Sequence, residues 1–218
     1  MDEAEELFVA LKSNDVAKVR ALLDRSPALA AAAAPDGTSA ILTAAYHRAT
    51  DVLSLLVSRA PPLSIFEAAA VGDCRRLEAL LEPDPGAALR YSHDGWTALH
   101  LTAFFSRTEA ARLLLGRKAD PSAVSRNPMA NQPLHAAAAG GADAGLVAAL
   151  LDAGADPNAR QRGGFRPLHS AAANGDAGLV QLLLARGADR SAATDDGRTP
   201  LQVARERGHA RVEALLAC

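Results

Sequence analysis

One short phrase returns seven times along this chain at a nearly constant interval, and few folds accommodate such a pattern. Its clearest copies are Thr97-Ala98-Leu99-His100, Gln132-Pro133-Leu134-His135, Arg166-Pro167-Leu168-His169 and Thr199-Pro200-Leu201-Gln202, with fainter ones at Leu7, Ile41 and Ile65. Aligned on the leucine or isoleucine, the copies stand 34, 24, 34, 35, 34 and 33 residues apart. A period of this size marks a solenoid, in which each supersecondary unit buries its apolar face only against its neighbours.

The copy from Phe165 to Asp195 shows what a unit contains. Pro167 suits a first helical turn, because its fixed φ fits and its missing N–H would be unpaired there anyway. Leu168, Ala171 and Ala172 form an apolar stripe at helical spacing, and Gly175 ends the helix. Leu179, Val180, Leu182, Leu183 and Leu184 make the wider face of a second helix, closed by Gly187. The polar stretch Asp189 to Gly197 contains Asp-Asp-Gly, which reads as a turn. Each unit is therefore helix, helix and turn-tipped loop, in an all-α chain. Alanine-rich first helices pack more closely than leucine-rich second ones, so the stack curves, with first helices and loop tips lining its concave side.

The phrases Asp94-Gly-Trp-Thr-Ala-Leu-His100, Leu150-Leu-Asp-Ala-Gly-Ala-Asp-Pro-Asn158 and Asp196-Gly-Arg-Thr-Pro-Leu201 resemble ankyrin repeats, over nearly the whole chain. The stretch Ile65 to Phe105, with Arg126-Asn127-Pro128-Met129, is also similar to short standalone bacterial ankyrin proteins. The resemblance implies an ankyrin solenoid of about seven units acting as a non-catalytic protein-interaction module. Residues 1–218 are expected to form one domain, with capping repeats at 1–35 and 195–218. Internal repeats fall at 36–64, 65–93, 94–130, 131–160 and 161–194. Helices are expected at Glu5 to Leu11 and Val16 to Leu23 in the first unit.

Composition narrows the function classes. The start Met1-Asp-Glu-Ala-Glu-Glu6 is acidic, unlike a signal peptide, and no apolar run approaches the roughly 20 residues that cross a bilayer. Cys74 and Cys218 lie in different repeats and form no metal or redox motif. A cytoplasmic protein without membrane attachment is expected. Arginine outnumbers lysine 20 to 3, which suggests a GC-rich, bacterial genome. Net charge is −2, but residues 1–109 carry 10 basic and 15 acidic side chains, and residues 110–218 carry 13 and 10. The arginines are scattered, without the basic stripe and interleaved aromatics of a nucleic-acid reader, so no nucleic-acid partner is expected.

Three irregularities stand out. Between Ile41 and Ile65 about ten residues are missing, and Ala60-Pro61-Pro62-Leu63-Ser64 spans the gap. The projecting loop between the second and third units should be absent, leaving a notch in the row of tips. From Pro121 to Gln132 the loop is lengthened and holds Arg126 and Met129. The third is the loop Arg160-Gln161-Arg162-Gly163-Gly164-Phe165-Arg166. No acidic residue occurs from Pro157 to Gly175, so these arginines are either ordinary solvated charges or a site for an acidic partner surface.

Aromatic residues number five Phe, two Tyr and one Trp, so their placement is informative. Trp96 precedes a helix on whose far end Phe104 and Phe105 lie, where ankyrin repeats usually present variable side chains to the concave face. Tyr46 and His47 occupy the equivalent place two units earlier, and Phe165 matches Trp96. The cluster is either a set of interface anchors or a filling for the space of the missing loop, with one of the two phenylalanines buried. The candidate partner-binding residues are thus Tyr46, His47, Trp96, Phe104, Phe105, Arg126, Met129, Arg162, Phe165 and Arg166. As an anchor, Trp96 should cost little stability when truncated. Ser106 stands where glycine usually ends the first helix, at a price of roughly 1 kcal/mol if φ stays positive.

No chemistry is legible. His100, His135 and His169 recur in register, but units packed roughly 8–10 Å apart cannot bring three imidazoles to one metal ion. By resemblance these histidines hydrogen-bond loop backbone and tie one repeat to the next. Ala139-Gly140-Gly141 lacks the Lys-Ser/Thr of a phosphate loop and reads as a helix end. No cofactor or metal is expected, and no catalytic residues are assigned. The partner is an unidentified protein, engaged by a monomer whose preformed surface loses little ordering entropy on binding. The alternatives are an inhibitor or immunity-type protein that occludes a partner enzyme, and a small-molecule binder or enzyme, which would need a deep pocket with convergent polar groups.

Overall fold

A computed structural model describes residues 2–217 of the chain. Among the described residues there are fourteen α-helices in seven antiparallel pairs and no β-strand. The first helices of the pairs are α1 (Glu3–Lys12), α3 (Ala40–Tyr46), α5 (Ile65–Val71), α7 (Ala98–Phe104), α9 (Pro133–Gly140), α11 (Pro167–Ala173) and α13 (Pro200–Glu206). The second helices are α2 (Val16–Arg25), α4 (Thr50–Arg59), α6 (Cys74–Leu81), α8 (Thr108–Gly116), α10 (Ala144–Asp152), α12 (Ala177–Ala185) and α14 (Ala210–Ala217). Each first helix packs on the first helix of the next pair, and the second helices form a parallel outer layer.

Local chemistry explains the boundaries. Asp15, Asp73, Asp143 and Asp176 cap second helices by accepting the backbone N–H three residues on, which satisfies an otherwise orphaned donor. Ser39, Ser64, Thr97 and Thr199 do the same for first helices. Inside, Leu7, Leu11, Leu23, Leu56, Leu77, Leu99, Leu134, Val180 and Leu183 have no exposed surface. The alanines of the first-helix layer set its close spacing. At the end of α9 even a methyl group is too much: a Cβ on Gly140 would lie 2.0 Å from the backbone oxygen of Phe104.

The first unit's helices begin and end within two residues of their expected bounds. Three short 3-10 turns, Pro27–Ala31, Pro85–Leu89 and Arg162–Gly164, carry no helical periodicity and were not anticipated. Five loops fold back into a turn closed by a backbone hydrogen bond. Four of them span five residues, Ala34 to Thr38, Ser92 to Trp96, Gln161 to Phe165 and Thr194 to Arg198. The fifth is lengthened, from Ser125 N–H to the Asn131 carbonyl at 2.7 Å.

The connection from α4 to α5 is residues 60–64 and contains no such turn. Here the layers respond differently. The first helices α3, α5 and α7 stay in contact, whereas α4 and α6 barely meet. The expected notch is not left open. The turn at Ala34 to Thr38 reaches past the third unit to the next loop, where Thr38 Oγ1 and His93 Nε2 are 3.1 Å apart. With only five residues in the connection, nothing stands between the two loops.

Candidate functional site

The four aromatic side chains singled out by register do converge, although they come from units separated by a third. Tyr46 ends α3, while Trp96, Phe104 and Phe105 flank α7. Ring centroids lie 6.3 Å (Tyr46–Trp96), 6.1 Å (Tyr46–Phe104), 5.3 Å (Tyr46–Phe105), 5.3 Å (Trp96–Phe104) and 5.2 Å (Phe104–Phe105) apart. These tilted and edge-on geometries are ones the ring quadrupoles favour. The rings meet because Ala70 holds the same register in α5 as Tyr46 and Phe104 in their helices, and it is small and fully buried.

The Tyr46 hydroxyl donates to Asp94 Oδ2 at 2.8 Å. Burial first, and then the adjacent carboxylate, pushes its phenol far above the ordinary value. The cluster therefore binds the second unit to the fourth. The expectation that one phenylalanine is buried needs correction: both are half-buried, each shielding the other. Trp96 is also half-buried, with its ring stacked on His100 at 5.8 Å, so it is not the free-standing anchor expected. His47, one residue beyond Tyr46, is exposed.

The loop tips form one continuous ribbon from the fourth unit onward. Arg126 N–H donates to Gly95 O at 2.8 Å, Arg162 N–H to Met129 O at 3.0 Å, and Asp195 N–H to Gly163 O at 2.9 Å. The approach at Gly95 demands its residue type: φ is +80° and a Cβ would sit 2.7 Å from the backbone nitrogen of Asn127. On this ribbon Met129 is 52% exposed. The Arg126 guanidinium lies 4.0 Å above the Tyr91 ring, a cation–π contact that orders an otherwise exposed side chain.

The arginine loop differs from its sequence-local reading. Arg160 pairs with Asp195 at 2.6 Å and Arg166 with Asp189 at 3.4 Å. Both carboxylates belong to the next loop along the stack, where a search of neighbouring sequence does not look. Arg166 is accordingly half-buried, and Phe165 lies edge-on to His169 with Arg198 over its face. Among the described residues, Arg162 is the one member of the three in no ion pair. Tyr91, His93 and Asp94 were missed as contributors. Tyr91 had a signal, since it is one of only two tyrosines.

The recurring histidines are inter-unit struts. The backbone N–H groups of Thr97, Gln132 and Arg166 donate to Nδ1 of His100, His135 and His169 at 3.2–3.3 Å. Nδ1 is thus the acceptor and Nε2 carries the proton, which goes to the carbonyls of Asn131 (3.1 Å), Ala159 (3.0 Å) and Arg198 (3.1 Å). Burial pushes the pKa of His100 and His135 down to about 4 and that of His169 downward. Cys74 opens α6 half-buried, with burial pushing its thiol upward; Cys218 lies outside the described residues.

A stack of helix pairs with a ribbon of joined turns along one edge, and among the described residues no cluster that could hold a metal ion, is the architecture of a repeat scaffold. Two family models, each describing ankyrin repeats, match residues 65–161 and 150–204. The chain belongs to the ankyrin repeat family, whose repeats generally act as protein-binding modules and not as catalysts. The chain is also similar to a probable E3 ubiquitin-protein ligase, XBOS31, of Oryza sativa subsp. japonica, at 39% identity over 93 residues. That alignment covers 42% of this chain and only 20% of the rice protein. No helix among the described residues is long and apolar enough to cross a membrane.

Proposed function

We propose that this chain is a non-catalytic, monomeric protein-interaction module that binds a partner protein through its concave face and loop tips. One observation carries the reading: the loop ribbon is prejoined by backbone hydrogen bonds yet still presents the exposed side chains of Arg126, Met129 and Arg162. A surface ordered before binding loses little entropy on association, and an exposed methionine beside arginines is a common composition for an interface. The half-buried Tyr46, Trp96, Phe104, Phe105, Phe165 and Arg166 would act chiefly as the stiff bed on which such contacts rest, and His47 would extend the surface toward the N-terminal units.

Two groups with displaced pKa values line the cleft beside α1, and neither is tuned for proton transfer. There, the Tyr46 phenol is moved up and the Asp36 carboxyl is moved down. Both move away from neutrality, whereas proton-transfer catalysis calls for groups tuned toward it. Ligase activity does not carry over from the rice protein on an alignment of that extent.

The test is affinity capture from a lysate of the source cell with the wild type and with a His47→Glu/Met129→Glu variant. Both positions are exposed, so the variant should fold normally. A protein retained by the wild type and lost by the variant is the expected result. Equal retention would remove this face from the site, and no specific retention by either would sink the interaction reading.

A further inference from the structure

A further concavity borders the aromatic cluster at Tyr46 but lies away from the arginine loops. It is an open cleft of about 660 Å³ between α1, the end of α3 and the turn from Ala34 to Thr38. Its apolar lining includes Ala4, Phe8, Val9, Ala34, Pro35 and Tyr46, with Phe8 largely buried beneath it. Val9 is anomalous there. Of its register equivalents, Thr43, Leu101, Ala136 and Val203 are buried and the polar Glu67 and Ser170 are half-buried, yet Val9 is 55% exposed. Set in a cleft with other apolar side chains, the bare valine offers apolar surface that a ligand could cover.

The charge around the cleft is equally uneven. Asp2, Glu5 and Asp36 line it against a single lysine, Lys12. Glu3 and Glu6, on the same helix but outside the cleft, are paired with Arg25 and Lys18. Among the described residues, Asp2, Glu5 and Asp36 are in no ion pair; the carboxylates are engaged by backbone N–H groups of Glu5 and Thr38 and by their own capping box. The half of the chain that contains the cleft carries 10 basic and 15 acidic side chains, so the surrounding field has the same sign.

We propose that this cleft binds an extended segment of a partner protein in which an apolar side chain is flanked by lysine or arginine. The apolar residue would cover Phe8, Val9 and Tyr46, and the cations would face Glu5 and Asp36. The inference rests on the interaction-module reading and supplies the chemistry of the partner, which is the reverse of the acidic surface that the arginine loop suggests. Unneutralised carboxylates at the rim would raise the association rate and select against acidic competitors.

The experiment is selection of a phage-displayed random peptide library on the immobilised full chain, followed by fluorescence polarisation with the enriched peptides. Enriched sequences should combine basic and apolar residues. Val9→Lys, at an exposed position, should weaken their binding by at least about tenfold. A Glu5→Gln/Asp36→Asn variant keeps the hydrogen-bond acceptors of the cap and turn while removing two charges. It should weaken binding and flatten its salt dependence, with circular dichroism confirming the fold of each variant. Acidic or uncharged consensus peptides, or no enrichment, would overturn the proposal. Basic peptides that bind both variants as well as the wild type would overturn the cleft alone and leave the interaction module standing.

Discussion

Acidification should destabilise this protein through its histidine struts well before its carboxylates are protonated. The unfolded chain binds protons at His100 and His135 near the ordinary value of 6.5, but the folded chain does so only near 4, because both rings are buried and have a single acceptor nitrogen already engaged by a backbone N–H. Between those values unfolding takes up protons, so stability is complete above about pH 6.5 and falls as pH drops toward about 4. Each pKa unit corresponds to about 1.4 kcal/mol. Each ring therefore contributes about 3 kcal/mol in total, of which about 2 kcal/mol is gone by pH 5. Two such rings remove about 4 kcal/mol, against a typical domain stability of about 5–15 kcal/mol, and His169 adds to the loss. Asp36, Asp143, Asp189 and Asp196 are held below 3.8 by hydrogen bonds from Thr38, Thr108, Ser191 and Thr194. Their contribution persists down to that value and is lost only below it, so the two windows are separate. Urea denaturation at pH 7.5, 6 and 5, followed by circular dichroism, measures the effect. Gln202 holds the same register in the last unit, and its Oε1 accepts Thr199 N–H at 2.7 Å. Glutamine is thus a tolerated substitute, and His135→Gln should flatten the pH profile by about 2 kcal/mol at pH 5. An unchanged midpoint between pH 7.5 and 5, or native-state imidazoles titrating near 6.5 by NMR, would refute the reasoning.

Other substitutions follow from the packing. Gly140→Ala should cost at least about 2 kcal/mol, since its Cβ would meet the Phe104 carbonyl; Gly141→Ala, with φ of +72° and open space, should cost about 1 kcal/mol, and thermal melts will rank the pair. Ser106 keeps φ at +54° and exchanges hydrogen bonds with Asp143, donating at 3.2 Å and accepting at 3.1 Å. Ser106→Gly should therefore be nearly neutral, relieving strain as it loses the bonds, whereas Ser106→Ala keeps the strain and should cost about 1 kcal/mol in urea denaturation. Trp96→Ala should now destabilise by about 3 kcal/mol, comparable to Leu168→Ala, because its ring is clamped between Tyr46, Phe104 and His100; a melting temperature equal to wild type would restore it as a free anchor.

Much of the fold was legible because its information is short-range and repeated. The Thr-x-Leu-His phrases place first helices, Pro133, Pro167 and Pro200 mark their starts, and aspartates mark the starts of the second helices. The histidines of three copies could be read as struts only through the resemblance to ankyrin repeats. The site was only partly legible. Tyr46, Trp96, Phe104 and Phe105 could be gathered by register, but register does not state whether rings face solvent or one another. Val9 and Asp36 gave no signal, as an ordinary helical valine and turn aspartate look the same whether covered or bare.

The unit, its period and the place where the period breaks are written along the chain, because helix propensity, capping and turn geometry act over a few residues and each copy repeats the message. What each unit does to its neighbours emerges from the packed stack. It paired Arg160 with Asp195 and Arg166 with Asp189, carried Tyr46 past a whole unit to Asp94, and left a cleft beside Val9. Those outcomes depend on distances between atoms one or two units apart. Such distances are set by how closely alanine-faced helices approach and by where a five-residue connection lets neighbouring loops meet, and no local pattern encodes them.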